Sequence, residues 1–153
     1  MHIHLDAYLE TGHGRVWTKS RNCQAWVQCF HDLEREVTWN RQVKKIYILI
    51  GCQASGKTTW AKFKHQEEPN NIIFDAILVK RCERKKILKI AKKYQMDCIA
   101  IFFIQSLDLC LVCNRLRPSD RFVSESALKN VHAAIEPPSI EEGFSDIICV
   151  YSI

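Results

Sequence analysis

Five consecutive apolar residues, Ile46-Tyr47-Ile48-Leu49-Ile50, run without interruption into Gly51. A strand with one wet face alternates apolar and polar side chains, so an unbroken run reads as a strand covered on both faces, as in a parallel sheet between layers of helices. Directly after it stands Gly51-Cys52-Gln53-Ala54-Ser55-Gly56-Lys57-Thr58, which fits the pattern G-x-x-x-x-G-K-[ST]. Chance would produce that match in on the order of one chain in two hundred of this length. A glycine turn between a buried strand and a helix is also where the pattern needs to be, because backbone N–H groups and the positive helix end converge there on phosphate oxygens. Lys57 is then placed to neutralise the terminal phosphates of a nucleotide, and the Thr58 hydroxyl to meet Mg²⁺. Gly51, Cys52, Gln53, Ala54, Ser55, Gly56, Lys57, Thr58 and Thr59 are the candidate nucleotide-binding residues. A glycine turn with an incidental lysine is the bland alternative.

The rest of the chain alternates in the same sense. Residues 22–37 carry Trp26, Phe30, Leu33 and Val37 at helical spacing and predict an amphipathic helix. A helix is predicted over 56–66; Pro69-Asn70-Asn71 then breaks the chain before a short strand, 72–74, that ends at Asp75. Residues 82–94 read as a helix, 98–104 as a second buried strand, 107–113 and 125–135 as helices, and 147–150 as a closing strand; Pro137-Pro138 stops the last helix. This alternation predicts a single-domain α/β protein of the P-loop NTPase-like type, a parallel sheet flanked by helices on both faces. In this reading residues 41–153 form the P-loop unit. Residues 1–40 are an N-terminal segment with an amphipathic helix and no assigned role.

With 153 residues, 47% hydrophobic and 25% charged, the chain has the make-up of one folded domain, not of a disordered or fibrous protein. Its longest apolar stretches, 46–51 and 98–104, fall far short of the roughly 20 residues that cross a bilayer, so no membrane segment is expected. The first residues show neither a basic leader nor a long apolar core, which makes the cytoplasm the expected location. Several of the eight cysteines, Cys98 and Cys149 among them, sit in apolar runs that suit packed thiols. Cys110-x-x-Cys113 is half a zinc site without another half, and Cys82 and Cys98 lack partner spacing, so no zinc is expected. His2 and His4 would share one face of a strand, and a metal role there is the weaker reading.

Three pieces within about 105 residues, from Tyr47 to Tyr151, carry a family resemblance. The first is the loop with its continuation, Gly56-Lys57-Thr58-Thr59-Trp60-Ala61. The second is Asn114-Arg115-Leu116-Arg117-Pro118, similar to a lid pattern R-N-x-x-R; the third is Glu136-Pro137-Pro138 followed by Glu141-Glu142-Gly143-Phe144. In this order they resemble the small P-loop kinases related to polynucleotide kinases and the zeta-toxin group, AAA-type predicted kinases. The resemblance implies a kinase that uses ATP and Mg²⁺ to move the γ-phosphate to a hydroxyl acceptor. Within it Arg117 keeps the second lid position and is the candidate to close over the transferring phosphate. Cys113 stands where the lid's first arginine belongs, and Arg115 is the candidate substitute, with Arg121 a weaker one. Family members carry two strand-end aspartates between the P-loop helix and the next long strand, one activating the acceptor hydroxyl and one resembling Walker B. This chain has room there for Asp75 alone, as general base or as Mg²⁺ ligand beside Thr58. Lys57, Asp75 and Arg117 are the candidate catalytic residues, and Thr58 and Asp75 the candidate metal ligands.

Lys80, Arg81, Arg84, Lys85, Lys86, Lys89, Lys92 and Lys93 place eight basic residues in fourteen positions, opposed only by Glu83. Such a face either holds nucleic-acid phosphates or is merely solvated. The net charge of +5 permits polyanion binding without demanding it. The acceptor is accordingly a polynucleotide 5′-hydroxyl or a small metabolite, nucleotide sugar or drug. A nucleotide-binding regulatory or partner protein without transferase activity is the third reading.

Overall fold

A computed structural model describes residues 1–151. The chain starts with β1 (His2–His4), a 3-10 turn (Leu5–Leu9), the short strands β2 (Glu10–Thr11) and β3 (Gly14–Arg15), and helix α1 (Lys19–Trp39). There follow β4 (Lys45–Ile50), α2 (Lys57–Glu67), β5 (Ile72–Asp75), α3 (Arg81–Lys93), β6 (Asp97–Ile104) and α4 (Leu107–Arg115). A 3-10 turn (Ser119–Arg121), α5 (Glu125–Ala133), another 3-10 turn (Ile140–Glu142) and β7 (Asp146–Tyr151) complete it. Five strands form one parallel sheet in the order β1-β5-β4-β6-β7, and β2 pairs with β3 as a separate antiparallel hairpin.

The unbroken apolar run in β4 serves two cores. Ile46, Ile48 and Ile50 join Ile72, Phe74, Cys98 and Ala100 on one face, where α1 adds Ala25, Cys29 and Leu33, and α3 adds Ile87, Leu88, Ile90 and Ala91. Tyr47 and Leu49 point the other way and pack with Ile73, Ile99, Ile101 and Phe103 against Ala61 of α2. Each fully buried isoleucine contributes about 1.5–3 kcal/mol, so a central strand with no wet face anchors the fold. Trp26 and Phe30 of α1 lie against Phe74 at 6.3 and 6.0 Å between ring centres, and Trp60 of α2 sits edge-on to Tyr47 and Phe103. Trp17 and Trp39, by contrast, are exposed.

The predicted boundary at residue 40 does not separate two bodies. β1 pairs with β5 through His2↔Ile73, Ile3↔Phe74 and His4↔Asp75, and Ile3, Leu5 and Leu9 enter the same core as β4. β7 forms where an apolar strand is expected, but as the sheet's edge it leaves Ile148 and Tyr151 exposed. No helix among the described residues is long and apolar enough to cross a membrane.

One basic residue of α3 departs from the expected solvated or phosphate-holding face. Arg84 is fully buried: Nε and Nη2 donate to the two carboxylate oxygens of Glu142 at 2.8 Å each, and Nη1 donates to the carbonyls of Leu78, Val79 and Glu136. The Glu136 and Glu142 portions of the third motif therefore hold α3 to the C-terminal segment. The other seven basic residues, Lys80, Arg81, Lys85, Lys86, Lys89, Lys92 and Lys93, are exposed.

Candidate functional site

β4 and β5 lie side by side with Leu49 opposite Asp75, so both strands deliver their C-terminal ends to one edge of the sheet. The chain leaves β4 toward β5 and then crosses to β6 on the opposite side, which makes this edge a topological switch point, where open α/β sheets bind ligands. The loop 51–56 turns sharply there. Gly56 caps α2 at φ 91°, a left-handed conformation that favours glycine. A Cβ on Gly51 would stand 2.9 Å from both Phe103 Cβ and Ser55 Oγ, so only glycine fits between the loop and β6.

The loop leads Lys57 and Thr58 into the first turn of α2. The Thr58 hydroxyl donates to the Asp75 carboxylate at 2.8 Å. Lys57 is buried, and its ammonium donates to the Gly51 and Cys52 carbonyls at 2.9 and 2.6 Å. Burial lowers the Lys57 pKa, and the Asp75 charge opposes that shift. Asp75 is itself buried, which alone would raise its pKa; contacts from His2, His4, Lys57 and Thr58 outweigh this and hold the carboxyl below its ordinary range. The two histidines stack at 5.5 Å, with Nε2 atoms 3.5 and 3.7 Å from Asp75 Oδ2, as the shared-face reading of His2 and His4 predicts.

These groups border a cavity of about 900 Å³ lined by Gln53 to Thr59, Asp75, Arg117 and Arg121. Its far wall comes from the N-terminal segment through His4, Asp6, Arg15 and Trp17. Arg117 Nη1, Gln53 Oε1 and Ser55 Oγ, on residues that line it, are buried without a hydrogen-bond partner; the first and the last can donate to an anionic ligand, while the amide oxygen only accepts. Burial, with Arg15 and Arg121 nearby, pushes the Arg117 pKa down. Asn114 fixes the segment bearing Arg117: its side chain donates to the Val123 carbonyl at 2.7 Å and accepts from the Val123 N–H at 3.2 Å.

Most predicted site residues thus meet at one edge. Gly51 and Cys52 form the loop's buried base, and Gln53 to Thr59 face the cavity. Arg115 does not join them; it is exposed and paired with Glu125 at 2.7 Å. None of the basic residues of α3 lines the cavity. Sequence reasoning missed Asp6 and Arg15, an ion pair at 2.7 Å, with Asp6 also 3.6 Å from His4. The signal was slight: one apolar residue between two histidines, and an aspartate two positions on. Among the described residues no group of three or more His, Cys, Asp or Glu side chains is placed to hold a metal ion, while Thr58 and Asp75 present a pair of hard oxygen donors. The chain matches no family model and no curated protein significantly.

Proposed function

We propose that the chain is a P-loop phosphotransferase that binds ATP and Mg²⁺ and moves the γ-phosphate to a hydroxyl acceptor. The observation that carries this reading is the convergence of Lys57, Thr58 and Asp75 at the ends of β4 and β5, on a cavity that Arg117 also lines. The loop's N–H groups and the N-terminus of α2 cradle phosphates. Lys57, released from the two carbonyls that now hold it, neutralises the terminal phosphates. Thr58 and Asp75 would hold Mg²⁺, which offsets the charge of the phosphoryl oxygens. Arg117 approaches from the opposite wall, as an arginine finger supplied in cis does.

The N-terminal strand supports a division of labour between two carboxylates. Asp75, buried and committed to Thr58 and the histidines, suits the metal side. Asp6, in the 3-10 turn that follows neighbouring β1 and on the cavity, suits acceptance of the hydroxyl proton. A second carboxylate then comes from the turn after β1 and not from the stretch between β5 and β6.

The cavity wall built by residues 4–22, with α3 absent from it, favours a small hydroxyl acceptor over a polynucleotide laid along α3. The test is transfer of radiolabelled γ-phosphate from ATP, with an oligonucleotide bearing a 5′-hydroxyl and separately with a panel of small alcohols, sugars and nucleosides. Labelled small-molecule product supports the reading. Oligonucleotide phosphorylation with a steep salt dependence, about 0.7 per contacted phosphate on a log–log plot, would restore α3 as the acceptor surface. Absence of ATP binding would remove the phosphotransferase reading.

A further inference from the structure

Cys52, the first variable residue of the loop, and Cys110, in the middle of α4, face each other with their sulfurs 2.8 Å apart. Both thiols are free, and both side chains are buried in a small cluster with Leu128. A disulfide bond measures about 2.05 Å, so the sulfurs need to approach by only roughly 0.8 Å. Isolated buried cysteines behave differently: burial pushes Cys29 and Cys98 up to about 12, where the thiol is inert. At Cys52 the hydrogen bond with Cys110, aided by Lys57 and His132, outweighs burial and brings the thiol down to about 7, so thiolate is available near neutral pH.

We propose that Cys52 and Cys110 form a reversible disulfide, with hydrogen peroxide as oxidant, that staples the glycine loop to α4. The Cys52 thiolate attacks one peroxide oxygen, forming an S–O bond as the O–O bond breaks, and the departing hydroxide takes a proton and leaves as water. The Cys110 sulfur then attacks the Cys52 sulfenic acid; the S–S bond forms, the S–O bond breaks, and hydroxide leaves with the Cys110 proton as a second water. The two sulfurs together lose two electrons and the peroxide gains them. Cys113, one turn beyond Cys110, and Gln53, directly after Cys52, line the cavity, so both elements that carry the pair border it although the two thiols themselves are buried.

The staple has a consequence that rests on the phosphotransferase reading. The Cys52 carbonyl holds the Lys57 ammonium at 2.6 Å, and α4 leads directly into the segment bearing Arg117. One covalent bond would tie together the two walls that must adjust around a nucleotide, and the oxidised protein would bind ATP several-fold more weakly.

The experiment treats the full chain with hydrogen peroxide, quenches, titrates free thiols after denaturation and maps disulfide-linked peptides by mass spectrometry. Two of the eight thiols are lost, a peptide linking Cys52 to Cys110 appears, and dithiothreitol restores both. Cys52→Ser and Cys110→Ser each abolish that peptide, whereas Cys113→Ser retains it. Peptide mapping of the parent protein needs no variant and stands if a serine variant fails to fold. Absence of the linked peptide in the parent, or its persistence in Cys110→Ser, overturns the disulfide. ATP affinity is then compared between reduced and oxidised protein. Unchanged affinity overturns the coupling alone, and failure of the reduced protein to bind ATP removes the phosphotransferase reading while the disulfide stands.

Discussion

Glu142→Ala isolates the contact that the sequence disguises best. Arg84 is fully buried and the Glu142 side chain is 8% exposed, so no water replaces the lost carboxylate. The substitution removes two charge-assisted hydrogen bonds and leaves a guanidinium inside the protein with only the carbonyls of Leu78, Val79 and Glu136 as partners. It also removes the acceptor for the Ser139 N–H. Breaking a buried pair from one side costs about 3–5 kcal/mol, which in a chain of this size lowers the melting temperature by roughly 6–20 °C. Glu142→Gln keeps the shape and one acceptor and loses less. Arg84→Met combined with Glu142→Ala costs less than the sum of the two single changes, because the unpaired charge is gone. Urea unfolding of the parent and the four variants, Arg84→Met alone included, followed by circular dichroism, provides the energies. A loss below about 1 kcal/mol for Glu142→Ala, the value of an exposed pair, would refute the claim that Arg84 is a buried fastener.

Lys57→Ala weakens ATP binding, measured by calorimetry, without lowering the unfolding midpoint by more than a few degrees, because its ammonium contacts loop carbonyls and not the apolar core. Asp75→Asn and Arg117→Ala each lower the transfer rate about 10²- to 10³-fold with smaller changes in the KM for ATP; transfer at the parental rate would remove the residue from the site. Asp32 supplies a pH effect away from the cavity. Burial works against its charge, but hydrogen bonds from Tyr8 and Gln28 and the charge of Arg35 prevail and hold its carboxyl below the ordinary range. The folded pKa is depressed, so this stabilisation is present above the unfolded value of about 3.9 and is lost as pH falls through the folded value. Asp32→Asn flattens the acid limb of an unfolding-midpoint against pH curve and leaves its slope near neutrality unchanged.

What could be read from the chain follows from where each residue sits. β4 lies in the centre of the sheet, so its side chains from Ile46 to Ile50 are all buried and apolar, and the strand is conspicuous. β1 lies at the edge with three residues, of which only Ile3 is fully buried, and nothing in His2-Ile3-His4 stands out from a loop. The glycine loop was legible because its chemistry is local, and Arg117 because it falls in a short pattern. Asp6 and Arg15 reach the cavity only through the pairing of β1 with β5, a relation that no local spacing contains. Arg84 shared the look of its seven solvated neighbours because its partner, Glu142, lies 58 residues further on.

The place of β1 also sets an order of events in folding. His2 is partnered with Ile73, so β1 cannot pair until β5 has been made. At about 5–20 residues per second, roughly 4–14 s of synthesis separate the two. Through that interval Ile3, Leu5 and Leu9 have no sheet to cover them, and the side chains of His4 and Asp6 belong to no cavity. A parallel pairing of such long range is slow to close even after the chain is complete. The wall that faces the glycine loop is thus translated well before the strand it pairs with, and it is assembled late.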